Sequence, residues 1–183
     1  MPAPQLETEN CVAHNGSIIP VPGRDIFVQA WYQGGISVVD FTDSSKPQEI
    51  AYFDRGPIME DELVTGGYWS VYYYEGFIYA TEITRGLDVL KLMPSEYLSQ
   101  NEIAAAALAY PLIGPHRSFN PQQQMPMTWP EKPEVALAYI DQLIRSGQID
   151  ITIAASISKK LERVNPALQE GGDRRLAEQI SAL

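Results

Sequence analysis

Few residues of this chain are of types and spacings that could do chemistry. Cys11-Val12-Ala13-His14 is the one close Cys/His pair. A thiolate and an imidazole three positions apart are weak candidate ligands for zinc or copper, or, with a third group to orient the ring, a nucleophile and its base. Neither use is complete in the sequence. The chain has 2 histidines and 1 cysteine; the other histidine, His116, lies far downstream, and no oxyanion-hole element or Gly-x-Ser-x-Gly elbow is present. A lone cysteine also excludes an internal disulfide and a Cys-rich zinc site. Cys11 therefore reads as a small apolar packing residue, or as half of a disulfide with a cysteine upstream in a longer protein. Asp40 and Asp43 could share a calcium ion, but lack a third oxygen-rich partner. The run Glu60, Asp61, Glu62 reads as solvated loop charge rather than as a glycosidase pair, which needs two opposed carboxylates. No cofactor is called for.

The aromatic residues are more numerous. Trp31, Tyr32, Tyr68, Trp69, Tyr72, Tyr73, Tyr74 and Tyr79 crowd two neighbouring stretches. Alternate members of a strand face the core, where rings supply packing. The others are free to meet a sugar or a peptide, and Trp31 and Trp69 are the two largest.

Those rings sit on an internal repeat. Laying residue 26 over residue 77 places IFVQAWYQGGISVVDF on FIYATEITRGLDVLKL without a gap, and a two-residue slip extends the match back to Ser17, Ile18 and Gly23 over Ser70, Val71 and Gly76. A period of about 50 residues suggests propellers or solenoids. Each copy reads as short strands separated by Gly-containing turns: SIIPVP, DIFVQAWY, GISVVDF and KPQEIAYFD in the first, then VYYY, FIYATEI and LDVLKL in the second. The glycines at 23, 34, 35, 76 and 86 serve hairpin backbones, since no helix follows them to cradle a phosphate. Asp40, Asp43 and Asp88 fall at strand ends, where carboxylates close Asx turns.

Beyond Leu92 the texture changes. Ser95 is the expected N-cap of a helix through NEIAAAALAY, stopped by Pro111. Residues 111–133 are proline-rich with few charges, a linker of polyproline character. Ala136, Ile140, Leu143 and Ile144 then share a helical face that Ser146-Gly147 ends. Ile153, Ile157, Leu161 and Val164 build a second, closed by Asn165-Pro166, and a third helix is expected from Asp173 with Leu176, Ile180 and Leu183 in phase.

The formal net charge is -10. Residues 1–115 hold 15 acids against 5 bases and residues 116–183 hold 8 against 8. Such a surface repels phosphate backbones and anionic lipid, which argues against nucleic acid and membrane surfaces as partners. No apolar run approaches the roughly 20 residues of a spanning helix, so no membrane insertion is expected, and the first residues lack the pattern of an export signal.

The stretches ENCVAHNGS, AWYQGGISVVDFTDSSKPQEIAYFD and GYWSVYYYEGFIYATEITRGLDVLKL, with their GGI-x-VVD-x-[TS]-D-x-x-x-P core, resemble the LVIVD-repeat proteins, a group of bacterial β-propellers. The resemblance spans residues 9–93. Lys91 stands near the place of Asp40, and Met93-Pro94 replaces the Asp-containing turn, a departure suited to a last blade. The tail ALAYIDQLIRSGQIDITIAASISKKLERV is similar to FIMAH, a small helical domain at the ends of secreted bacterial proteins. The resemblance implies a secreted or surface location.

The expected fold is mainly β with an α-helical tail: a partial β-propeller of about two antiparallel blades over residues 1–94, a helix and Pro-rich linker over 95–132, and a small helical bundle over 133–183. Two blades cannot close a ring, so the chain reads as the C-terminal piece of a larger protein, with open sheet edges available for self-association. The expected function is a non-catalytic scaffold or binding module with a protein or carbohydrate partner. Its alternative is a hydrolase-like enzyme whose site lies on the propeller axis, mostly outside this chain. In either case Glu82, Arg85 and Asp88 are the charged groups expected near that axis, with Trp31 and Trp69 as stacking surfaces.

Overall fold

The computed structural model describes residues 5–111 and 126–169. The described residues form three antiparallel sheets and three helices. The first sheet is a four-stranded meander of β1 (Gly16–Ile19), β2 (Ile26–Ala30), β3 (Ile36–Asp40) and β4 (Gln48–Phe53). The second is a three-stranded meander of β5 (Tyr68–Tyr74), β6 (Phe77–Glu82) and β7 (Gly86–Leu90). The repeat is thus realised as one meander per copy: Val28 pairs with Val38 in the first and Tyr79 with Val89 in the second, each pair displaced by the same 51 positions.

Alternation sets which side of each strand is buried. Ile19, Ile26, Val28, Ala30, Ile36 and Val38 of the first sheet meet Val71, Tyr73, Ile78 and Ala80 of the second in a single core. Ile19, Ile26, Val28 and Val71 are fully buried, and each such side chain stabilises the fold by about 1.5–3 kcal/mol. The sheets are also stitched edge to face. The Val71 and Tyr73 amides, on the outer edge of β5, donate to Asn15 Oδ1 (3.0 Å) and Ser17 Oγ (3.1 Å). A buried strand edge is thereby satisfied without a further strand.

Among the described residues the second sheet has no fourth strand after β7. The chain passes instead through Leu92 and Leu98, both in the core, into α1 (Gln100–Leu108). The N-cap of α1 is Ser99, not Ser95 as the sequence suggests. Ser99 Oγ accepts from the Glu102 amide (3.1 Å) and Glu102 Oε2 accepts from the Ser99 amide (2.7 Å). This reciprocal capping box outcompetes the Ser95 start because it satisfies two backbone donors at once. Ser95 closes the turn ahead of it, accepting from the Tyr97 amide (3.2 Å).

β8 (Tyr110–Pro111) pairs with β9 (Met127–Thr128), bringing together the two ends of the Pro-rich segment. The interior of that segment, including His116, and the helix expected from Asp173 lie outside the described residues. α2 (Pro133–Arg145) packs on α1 and is followed, after its C-cap Ser146, by Gly147, whose φ of 69° carries the left-handed turn. Its buried residues are Pro133, Ala138 and Ile140; Leu143 and Ile144 stand at the margin of the face assigned to them. α3 (Ile151–Gln169) is capped by Asp150, whose carboxylate accepts from the Thr152 amide (2.8 Å), and runs past Asn165-Pro166, where the sequence suggests a stop. Ile153 is exposed and Ala154 is buried in its place, because α2 meets α3 one residue further round the helix than the apolar stripe implies.

The helices are locked to the first sheet by a buried ion cluster. Glu102, with no solvent exposure, accepts from Arg24 (2.8 Å) and from both terminal nitrogens of Arg145. Arg24 also binds Asp40 (2.5 Å). Burial alone would raise the Glu102 and Asp40 pKa values, but the bonds to Glu102 from Arg145, Ser99 and Arg24, and those to Asp40 from Arg24 and Thr42, hold both below the usual carboxylate range. Gly23 makes room for this joint, since a Cβ there would lie 2.7 Å from the ring of Tyr139 on α2.

Candidate functional site

The charged groups that the sequence places near an axis are all engaged internally. Glu82 ends β6 almost fully buried, and its carboxylate accepts from the amides of Gly67 (2.5 Å) and Thr84 (2.9 Å), from the Arg85 amide, and from Thr84 Oγ1 (3.0 Å). A carboxylate surrounded by backbone donors is a structural anchor for the turn into β7. The Arg85 side chain turns away from it to the Pro57 carbonyl (3.0 Å). Asp88 does not close an Asx turn. It accepts from Arg55 (2.5 Å) and from the Tyr68 hydroxyl (2.6 Å), tying the segment after β4 to β5 and β7. Burial, and then the bond to Asp88, pushes the Tyr68 phenol well above its ordinary value.

Asp40 and Asp43 do close Asx turns, on Thr42 and Ser45, and Asp40 is further held by Arg24. Their oxygens serve the backbone rather than a shared cation. Glu60, Asp61 and Glu62 lie exposed in the loop between β4 and β5. Among the described residues no group of three or more His, Cys, Asp or Glu side chains is placed to hold a metal ion.

Cys11 and His14 are directed to different neighbours. Cys11 Sγ contacts the Glu9 carbonyl (3.7 Å), and its thiol is pushed up by burial and then by Glu9 and Asp54. A raised pKa gives none of the activation that a nucleophilic thiolate needs. Gly34 permits this packing, a Cβ there falling 3.1 Å from the sulfur. His14 bonds through Nδ1 to the Trp69 carbonyl. Its ring lies 4.1 Å from that of Trp69 and 5.1 Å from that of Tyr32, and Tyr32 meets Trp69 edge-on at 5.9 Å.

This three-ring cluster is the most distinctive surface feature of the described residues. Trp69 is 52% exposed because the β5–β6 register shifts between Tyr68 and Ser70. Strict alternation with the buried Val71 and Tyr73 would turn Trp69 inward. The bulge reverses the order, burying Tyr68 and presenting Trp69 to solvent. Tyr32 is held with φ 52°, a left-handed backbone uncommon for a bulky residue, and is pinned by the Tyr68 amide on its carbonyl (2.9 Å). Beside it Gly67 approaches so closely that a Cβ would lie 2.1 Å from the Tyr32 backbone. Tyr32 also lines an open groove of ≈ 530 Å³ between residues 9–12 and 63–66. Val12 and Leu63, exposed at its sides, extend the apolar surface.

Trp31, paired with Trp69 in the sequence reading, does not join the cluster. It is half-buried, and its indole N–H is enclosed without a partner among the described residues. The aromatics singled out in the sequence thus divide, with Trp69, Tyr32 and His14 meeting at one surface and Trp31 half-buried apart from them. Comparison with family models, with curated proteins and with solved structures finds no match to this chain.

Proposed function

We propose that this chain is a non-catalytic binding module, part of a propeller-type scaffold of a secreted or surface bacterial protein, with the Trp69–His14–Tyr32 surface as its contact site for a carbohydrate or protein partner. The single observation that carries the reading is the solvent-facing Trp69 ring, turned out by a bulge and braced by two other rings. A ring fixed in advance loses little conformational entropy on binding, which is why Trp and Tyr dominate contact energies at interfaces. The hydrolase-like alternative draws no support from Glu82 and Asp88, whose oxygens are taken by backbone, Arg55 and Tyr68 donors. In support of the propeller-type reading, two consecutive meanders in the register of the repeat share one core. The location follows from the sequence resemblance.

The test is a screen of the labelled chain on glycan and peptide arrays, repeated with Trp69→Ala. Binding that falls about tenfold in the variant, roughly 1.4 kcal/mol, at unchanged thermal stability is the expected result. Binding unaffected by Trp69→Ala would place the contact elsewhere and defeat the proposal.

A further inference from the structure

The repeat relates the two sheets, and it also relates their faces. The buried face of the first sheet contains Ile26, Val28, Ile36 and Val38. Its repeat equivalents in the second sheet are Phe77, Tyr79, Leu87 and Val89, which share one face by their pairing: Tyr79 opposes Val89 and Thr81 opposes Leu87. That face is open. Ile26, Ile36 and Val38 are 0%, 2% and 3% exposed, whereas Phe77, Leu87 and Val89 are 40%, 59% and 53% exposed.

The same mapping applied backwards gives the complement. The second sheet's buried face, Val71, Ile78 and Leu90, corresponds to Ile18, Phe27 and Val39 of the first sheet. Ile18 is 41% exposed, Phe27 and Val39 are half-buried, and Tyr52 on β4 adds a ring at 52% exposure beside them. The chain therefore contains one completed contact between unlike faces and, at its two ends, one unsatisfied example of each face. A contact between unlike faces is heterologous: it repeats, closing a ring or extending, rather than pairing like with like.

We infer that this chain associates head to tail with a second copy of itself, the Phe77–Leu87–Val89 face of one docking on the Ile18–Phe27–Tyr52 face of the next. The occupant is fixed by equivalence, because the surface complementary to the open face of the second sheet is already defined within the chain and is itself uncovered on the first. The contact would remove from water several apolar side chains that a soluble monomer seldom exposes together. The inference rests on the repeat and not on what the Trp69 surface binds.

The test is light scattering with size-exclusion chromatography on the full chain over about 1 to 300 μM, a range in which mass action reveals weak association. Three proteins are compared: the unaltered chain, the double variant Leu87→Asp/Val89→Asp, and the double variant Ile18→Asp/Tyr52→Asp. The altered side chains are exposed, and circular dichroism checks that each variant is folded. The unaltered chain is expected to grow in mass with concentration. Each variant alone should remain monomeric, and their equimolar mixture should form a dimer and nothing larger, because one intact pair of unlike faces survives. A monomeric unaltered chain at every concentration would overturn the inference. So would a variant that still self-associates, which would mean a contact between like faces, and so would a chain truncated after residue 169 that associates when the full chain does not, which would mean that the chain's own end covers the face.

Discussion

Glu82 illustrates how far a residue's type underdetermines its work. In the sequence it is an acid near the end of a strand, suited to an active site. In the structure it is the hub of a turn, and three backbone donors converge on its two oxygens. Charge-assisted bonds of this kind are worth about 1.5–3 kcal/mol each in mutational series. Glu82→Gln keeps the shape and loses the charge, so it should destabilise the fold by about 2 kcal/mol, read as a lower urea midpoint at unchanged slope. An unaltered midpoint would mean that the carboxylate is not needed for folding and would reopen a chemical role for it. Trp69 carries the opposite lesson. Its importance comes from exposure, and its exposure comes from a one-residue shift in strand pairing that composition does not reveal.

Among the elements, β1, β2, β3, β5, β6 and β7 are legible because they are written twice, and two imperfect copies of an alternating pattern constrain each other. The helices are less legible. Ser95 and Ser99 are both chemically able to cap α1, and what selects Ser99 is Glu102 three residues on, whose side chain returns to the Ser99 amide. Glu102 also receives Arg24 and Arg145, partners separated from it by 78 and 43 residues, and no local pattern announces such a joint. Its consequence is measurable. Glu102 and Asp40 both have pKa values lowered by folding, so their contribution is complete above the unfolded-state values of 4.5 and 3.8 and is lost as pH falls through the lower folded-state values. Stability measured by denaturant should be nearly flat from pH 7 to about 5 and fall below about pH 4. Glu102→Ala should cost about 3–5 kcal/mol at pH 7, because it leaves Arg24 without one of its two carboxylate partners in a buried joint, and should flatten the acid limb. An acid limb as steep in the variant as in the parent would remove Glu102 as its source.

For the whole molecule, the repeat, the capped helices and the ion cluster combine into two stacked sheets held from one side by helices, with an aromatic surface at the junction of residues 10–15, the β2–β3 turn and the start of β5. The candidate site was half legible in advance. Its rings could be named, but their sorting into core and surface could not, because it depends on the bulge at Trp69, the left-handed backbone of Tyr32 and the close approach of Gly67. Those are tertiary facts, set by how one sheet lies on the other.

The most direct test of the central claim is a fluorescence titration of one array-identified ligand against Trp69→Ala and Asp88→Asn side by side, each shown to be folded. A binding module centred on the rings predicts that Trp69→Ala loses about tenfold or more in affinity, while Asp88→Asn, which removes none of the three rings, binds within about twofold of the parent. The reverse pattern, with binding lost in Asp88→Asn and retained in Trp69→Ala, would contradict the account and return the charged groups to the centre of the function.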